Sequence, residues 1–346
     1  MVNIICKNCG KTLSVNESQA TVFCENCGEK LEITAENSNS DSMASGEAAF
    51  AVKNYTGAYN FFTAASSADR ENKKALLLAG ICSARISTAE CLKIEDGISA
   101  LTQAASYPYT GFDKHDLYHR VADEVIEFCD EFVKNHAEFE DKYIFPNALA
   151  ARTHFSILYN CFCYLAALSD MLTSEVVKSD TTLEPKKKAA IKAAIGLAEK
   201  INVKITYTVG MRNVKKGYKY VEEAYNEKID SPYITKTAEK IKLLKTAYNT
   251  IPSTLSAISD FDETIKNSEN LVNDFDTKFK AYLDENEEAK KKFKGGFLGI
   301  GKKKDEVYDA LPDYLKELKA KADENKAKIE ALQKEKKAFI KENTLS

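Results

Sequence analysis

Apolar and polar positions alternate with a period of two in short runs at the front of the chain, Thr12-Leu-Ser-Val15 and Thr21-Val-Phe23, with Leu31-Glu-Ile33 following. That period predicts short strands. A polar stretch rich in Ser and Asn, 35–46, then carries no period and predicts a linker that tethers the front loosely. From Glu47 onward the apolar positions recur at helical spacing. Two longer amphipathic or largely buried helices are expected over 113–138 and 147–172, so 47–174 reads as one helical domain. Further helices are expected in 175–250, at 185–204 and about 212–228. The run 201–209 alternates like a strand, but with no partner strand in view it is expected to be helical.

The last third, 251–346, changes texture. Ile251, Thr254, Ile258, Phe261, Ile265, Ser268, Val272, Phe275, Phe279, Tyr282, Asn286, Ala289 and Phe293 step by alternating three and four. A second such seam runs through Tyr308, Leu311, Leu315, Leu318, Ala322, Asn325, Ile329, Leu332, Lys336 and Phe339. Two heptad seams separated by a glycine-rich break predict an antiparallel coiled-coil hairpin. Unbroken, its first helix would reach about 60 Å.

Composition narrows the fold class further. At 346 residues the chain exceeds what one core usually holds, and 14 Gly with 6 Pro are too few for an all-β chain of many turns, so a mainly α protein of several units is expected. The formal charge of −3 supplies no global field toward nucleic acid or an anionic membrane, so such a partner requires a local patch. No stretch reaches the roughly 18 apolar residues of a membrane span, and Met1-Val-Asn-Ile-Ile-Cys6 does not read as an export signal. Nine cysteines, an odd number, then argue for reduced thiols and a cytoplasmic location.

Four of those cysteines carry the clearest chemistry. The phrase Cys6-Lys-Asn-Cys9-Gly10-Lys-Thr-Leu13 returns as Cys24-Glu-Asn-Cys27-Gly28-Glu-Lys-Leu31. Each Cys-x-x-Cys lets two thiolates reach one ion from a tight turn, and the glycine after it can take positive φ. Two such turns complete a tetrahedron, closed and therefore structural, around Zn2+. Residues 1–34 resemble the zinc-ribbon family on this duplicated phrase. Fourteen residues separate Cys9 from Cys24, one short of the usual spacing. Ribbons of that family can bind nucleic acid, but residues 1–36 carry three lysines against five glutamates, the wrong sign for phosphate.

After the linker, Asn54-Tyr55, Ala58, Phe62, Ala65, Leu76 and Gly80 stand in an order similar to a tetratricopeptide repeat, and the small residues would let paired helices approach closely. A weaker copy places Gly97-Ile98 and Ala104 39 positions after Ala58-Tyr59 and Ala65, longer than the family's usual period of about 34. The resemblance covers 47–106 and implies a stack of helices with a groove for a protein or peptide.

The hairpin tip, 290–304, carries seven lysines and no acid: Lys290, Lys291, Lys292, Lys294, Lys302, Lys303 and Lys304, with Phe297, Leu298 and Ile300 among them. It reads either as a solvated turn or as a contact with an anionic membrane surface or an acidic protein. The spelling Gly296-x4-Gly301-Lys302 imitates a phosphate-binding loop, but Lys303 stands where Ser or Thr should hold magnesium, and no buried strand precedes it. His115, His119 and Asp123 fall one helical turn apart and could share a face. Cys82, Cys91, Cys129, Cys161 and Cys163 are not spaced as ligands and are expected in cores. With no catalytic motif in view, the chain is expected to be a non-enzymatic adaptor or scaffold, joining a protein or peptide and able to self-associate through its coiled coil. The alternatives are a nucleic-acid-binding ribbon protein and a peripheral membrane protein docking through 290–304.

Overall fold

Asn54, Asn72 and Asn147 each stand before a helix, and each side chain accepts a hydrogen bond from the backbone N–H three residues on, at Gly57, Ala75 and Ala150. These caps satisfy donors that the first helical turn leaves open. The computed structural model describes residues 2–6, 8–15, 21–32, 42–106, 114–137, 143–173, 180–295 and 308–345. The described chain is mainly helical, with little strand, and divides into two units, Met1–Tyr248 and Asn249–Ser346. Among the described residues no helix is long and apolar enough to cross a membrane.

The first unit opens with two antiparallel strand pairs, β1 (Val2–Ile5) with β2 (Thr12–Val15) and β3 (Thr21–Phe23) with β4 (Lys30–Glu32). Helices α1 (Ser42–Ala51), α2 (Tyr55–Ala68), α3 (Lys73–Arg85) and α4 (Ile94–Ser106) follow, each packed on the one before it. Then come α5 (Lys114–His136), the two-residue strand β5 (Ile144–Phe145), α6 (Ala148–Met171) and α7 (Glu184–Ile201). Helix α6 is the centre of the core. It packs against α4, α5 and α7 and buries residues around most of its circumference, among them Phe155, Leu158, Phe162, Leu165 and Leu168.

The small residues expected at helix contacts lie there. Ala58 and Ala65 are buried, and a side chain at Gly80 would collide with Ala100 of α4. Leu76, a large apolar position of the same repeat-like series, is 36% exposed, while Leu77, Leu78 and Ile81 are buried. The apolar stripe of α3 is therefore rotated by one residue relative to the expected repeat.

The largest correction concerns 201–228. Helix α7 ends at Ile201, and the helices expected at 201–209 and 212–228 are replaced by a hairpin of β6 (Ile205–Lys216) and β7 (Lys219–Ile229), with β5 alongside β6 in parallel. The cause is local: the segment is dense in Thr, Tyr and Val, which favour the pleated surface. Gly217 with φ 63 closes the two-residue turn Gly217-Tyr218, Lys216 pairing with Lys219. Helix α8 (Ile234–Asn249) completes this unit, with the Tyr233 ring stacked on Tyr159 at 4.0 Å and Lys240 paired to Asp170 at 2.7 Å.

In the second unit α9 (Pro252–Glu285) and α11 (Asp313–Asn343) form the antiparallel coiled-coil hairpin, with α10 (Glu287–Gly295) after a break at Asn286. Phe261 meets Phe339 near one end and Phe279 meets Tyr308 near the other. All named seam positions except Asn286 are buried or half-buried. The break shortens the expected first helix: α9 has 34 residues, about 51 Å.

Ion pairs tie α1 to its neighbours, and they make stability depend on acid. Glu47 of α1 accepts from Arg120 of α5 at 2.5 and 3.0 Å and pairs with Lys74 of α3 at 3.0 Å. Burial acts to raise its carboxyl pKa, but the hydrogen bonds from Arg120 and Lys74 outweigh it and hold the group below its ordinary 4.5. A depressed folded value means that the unfolded chain binds the proton first. The contribution is thus present above about pH 4.5 and lost as pH falls through the lower folded value. Glu47→Gln is expected to flatten the acid side of a urea-midpoint profile against pH, whereas an unchanged slope would contradict this assignment.

Candidate metal centre

The two knuckles fold alike because their sequences are alike. In the first, Gly10 N–H donates to the Cys6 carbonyl at 2.8 Å and Cys6 N–H to that of Lys11 at 2.9 Å. In the second, Gly28 N–H donates to Cys24 at 2.8 Å and Cys24 N–H to Glu29 at 2.8 Å. Gly10 and Gly28 take φ 72 and 74, where a Cβ is strained. Each turn thereby brings its two thiols together, and the strand pairs bring the turns together over a small core of Leu13, Val15 and Leu31.

All four Sγ atoms lie within 4.8 Å of one another, with Cys6 to Cys27 and Cys9 to Cys24 at 3.5 Å each. Thiolates about 2.3 Å from a central ion in a tetrahedron stand about 3.8 Å apart. The donor set therefore fits one metal ion. Burial pushes the Cys6 thiol up to about 12. At Cys24 burial acts the same way, but the backbone N–H groups of Cys27 and Asn26 facing its sulfur overcome it and bring the thiol to about 6. A cation at the centre favours the thiolate at every position.

The knuckles differ in what surrounds them. Asn60 of α2 donates to the Cys9 carbonyl at 3.0 Å, and a side chain at Gly10 would strike the Gly57 carbonyl. The first knuckle thus rests on α2, a contact that the expected loose tether did not include; residues 33–41 lie outside the described chain. A Cβ at Gly28 would meet nothing within 4 Å, Cys27 is exposed, and Phe23 beside Cys24 is 64% exposed. Gly10→Ala is therefore expected to cost more than Gly28→Ala. The latter carries only the positive-φ strain of about 1 kcal/mol, the former a backbone collision as well. Metal-loaded thermal unfolding of both variants measures the difference, and equal losses would contradict the docking.

The remaining candidates scatter. Asp123 pairs with Lys186 and His119 with the Thr182 hydroxyl at 3.0 Å, while the His115 side chain lies outside the described atoms. Among the described residues Cys6, Cys9, Cys24 and Cys27 are the one cluster able to hold a metal. Cys82, Cys129 and Cys161 are buried as expected, Cys163 is half-buried, and Cys91 is exposed. Of the tip, Lys290 pairs with Asp284 at 2.8 Å and Lys291 is exposed. The side chains of Lys292 and Lys294, and all of Phe297, Leu298, Ile300, Lys302, Lys303 and Lys304, lie outside the described atoms. So does the Gly296–Lys302 loop.

Two surfaces escaped the sequence reading. One is a groove of about 1090 Å³ between α5, α6 and α7, lined by Ile126, Val133, Leu165 and Leu197 with Asp130 and Lys200 at its margins. The other is the β6–β7 hairpin, whose alternation at 205–209 and Gly-Tyr turn were the available signal. No protein-family model, curated protein or solved structure matches this chain, and its chemistry stands on the geometry of its own residues.

Proposed function

We propose that this chain is a non-enzymatic, zinc-stabilised adaptor of the reducing cytoplasm. Zn2+ held by Cys6, Cys9, Cys24 and Cys27 has a structural role, because four thiolates leave no open position for a substrate. The ribbon is of the zinc-ribbon kind, the helical region is built on tetratricopeptide-like pairs, and the coiled-coil hairpin serves assembly. The partner is a protein or peptide bound by the helical unit.

The observation that carries the reading is the groove between α5, α6 and α7. Its apolar floor and charged margins suit an amphipathic helix or extended peptide with apolar anchors. Gly196 lines it, and a Cβ there meets nothing within 4 Å. Gly196→Glu places a carboxylate in the groove while improving helix propensity, so the variant folds. Affinity purification of both forms from the native cell, followed by mass spectrometry, is expected to return a reproducible protein with the natural chain and to lose it with Gly196→Glu. The same proteins with both forms would refute the groove, and nucleic acid without protein would displace the adaptor.

A further inference from the structure

Among the described residues the β6–β7 hairpin has no third strand beside it from Thr208 outward, since β5 pairs only with Thr206 and Tyr207. Its side chains are exposed on both faces: Met211 is 62% and Tyr220 70% exposed on one, Val221 42% on the other, and Tyr218, at the turn, is fully exposed. A two-stranded ribbon without a covered face is marginal in water and gains from a partner.

The composition of its end states what that partner is. Lys215-Lys-Gly-Tyr-Lys-Tyr220 holds three lysines and no acid. The register sets Lys216 beside Lys219 and Lys215 beside Tyr220, so both faces of the ribbon carry positive charge at the tip. Lys216 is partly compensated by Glu223, and Arg212 lies over the Tyr225 ring at 5.2 Å. The exposed aromatic rings are tyrosines, with no Phe, Leu or Ile among residues 215–220 to enter a hydrocarbon layer. Lysines spaced between flat, accessible rings match phosphates spaced between bases. We propose that the tip of this hairpin binds single-stranded nucleic acid, with Lys215, Lys216 and Lys219 on the phosphates and Tyr218 and Tyr220 stacking on bases. This surface is separate from the groove and from the acidic metal ribbon, and it supplies the local patch that an overall charge of −3 requires.

The test is fluorescence anisotropy of labelled oligothymidylate and oligouridylate with the full-length, metal-loaded protein, beside sedimentation with phosphatidylserine vesicles. Three phosphate contacts give a salt slope of about −2, so affinity is expected to fall about 15-fold between about 50 and 200 mM salt. Lys215→Ser/Lys219→Ser should flatten that slope. Tyr218→Ala/Tyr220→Ala should keep the slope and weaken binding by about tenfold per ring. The substituted side chains project into solvent, and circular dichroism checks that each variant keeps its hairpin and helices. The proposal is overturned by no binding at about 50 mM salt, by equal binding of natural and tyrosine variants, or by vesicle binding without oligonucleotide binding.

Discussion

Chelating the metal is expected to unfold β1–β4 and leave the helices standing. Among the described side chains of residues 2–32 the buried core is Leu13, Val15 and Leu31 with Cys6 and Cys24, and a segment this short does not bury enough apolar area to fold alone. A bound metal would supply the rest, about 10–16 kcal/mol in zinc-binding peptides with closed thiolate shells. The helical core around α6 does not use that energy. Its described links to the metal site, Asn60 donating to the Cys9 carbonyl and Gly57 set against Gly10, lie in the first turns of α2. Hydrogen exchange after chelation should therefore show lost protection over 2–32 and little change in α3 to α7. Elemental analysis should give one zinc per chain, and Cys24→Ser should reproduce the chelated pattern. Competition with a chelator should favour release as pH falls, because the ligands bind as thiolates. Well under one metal per chain after loading, or helices that melt with β1–β4, would contradict this account.

Sequence reading reached the elements whose cause is local and periodic. The knuckles were visible because coordination needs thiols at short spacing, and both coiled-coil seams because the 3-4 step repeats along each of them without a break in its order. What escaped it appears only when one segment is set beside another. The helix reading of 201–228 failed because an alternating run at 205–209 is informative only once a partner strand is recognised. That partner, 219–229, hides its period behind Glu222, Glu223 and Glu227. With both faces exposed, neither strand shows the apolar-in, polar-out contrast that a half-buried strand displays. The groove was invisible for a different reason. Its lining joins α5, α6 and α7 across about 80 residues, and no spacing rule connects them. The contact of Gly10 with Gly57 likewise has no signature except the absence of side chains, which the metal turn and the helix cap already explain.

Arg85→Met is expected to destabilise the first unit by about 3–5 kcal/mol. Arg85 ends α3 with a side chain only 6% exposed, and its guanidinium reaches three carboxylates of one face of α5: Glu124 at 2.7 Å, Glu127 at 3.0 Å and Glu131 at 2.9 Å. It also lies over the Tyr55 and Phe128 rings, at 5.1 and 5.7 Å. The three acids are not equal. Glu127 and Glu131 side chains are 40% and 55% exposed, so water compensates them when the arginine is removed. Glu124 is 12% exposed, and after the substitution its carboxylate keeps only the Tyr55 hydroxyl, at 2.9 Å. Methionine retains most of the apolar stem, so the loss reports a stranded charge more than a cavity. Adding Glu124→Gln removes that charge and should recover a large part of the loss, whereas Arg85→Lys should recover little, because an ammonium cannot span three carboxylates in a planar fork. Urea unfolding of the four proteins gives the coupling. A loss under about 1 kcal/mol for Arg85→Met, or a double variant as unstable as the single, would show that α5 is held by apolar packing and not by this arginine. Because Glu127 also borders the groove, the same series should shift partner affinity in proportion to stability if the ion pairs keep the groove wall in place.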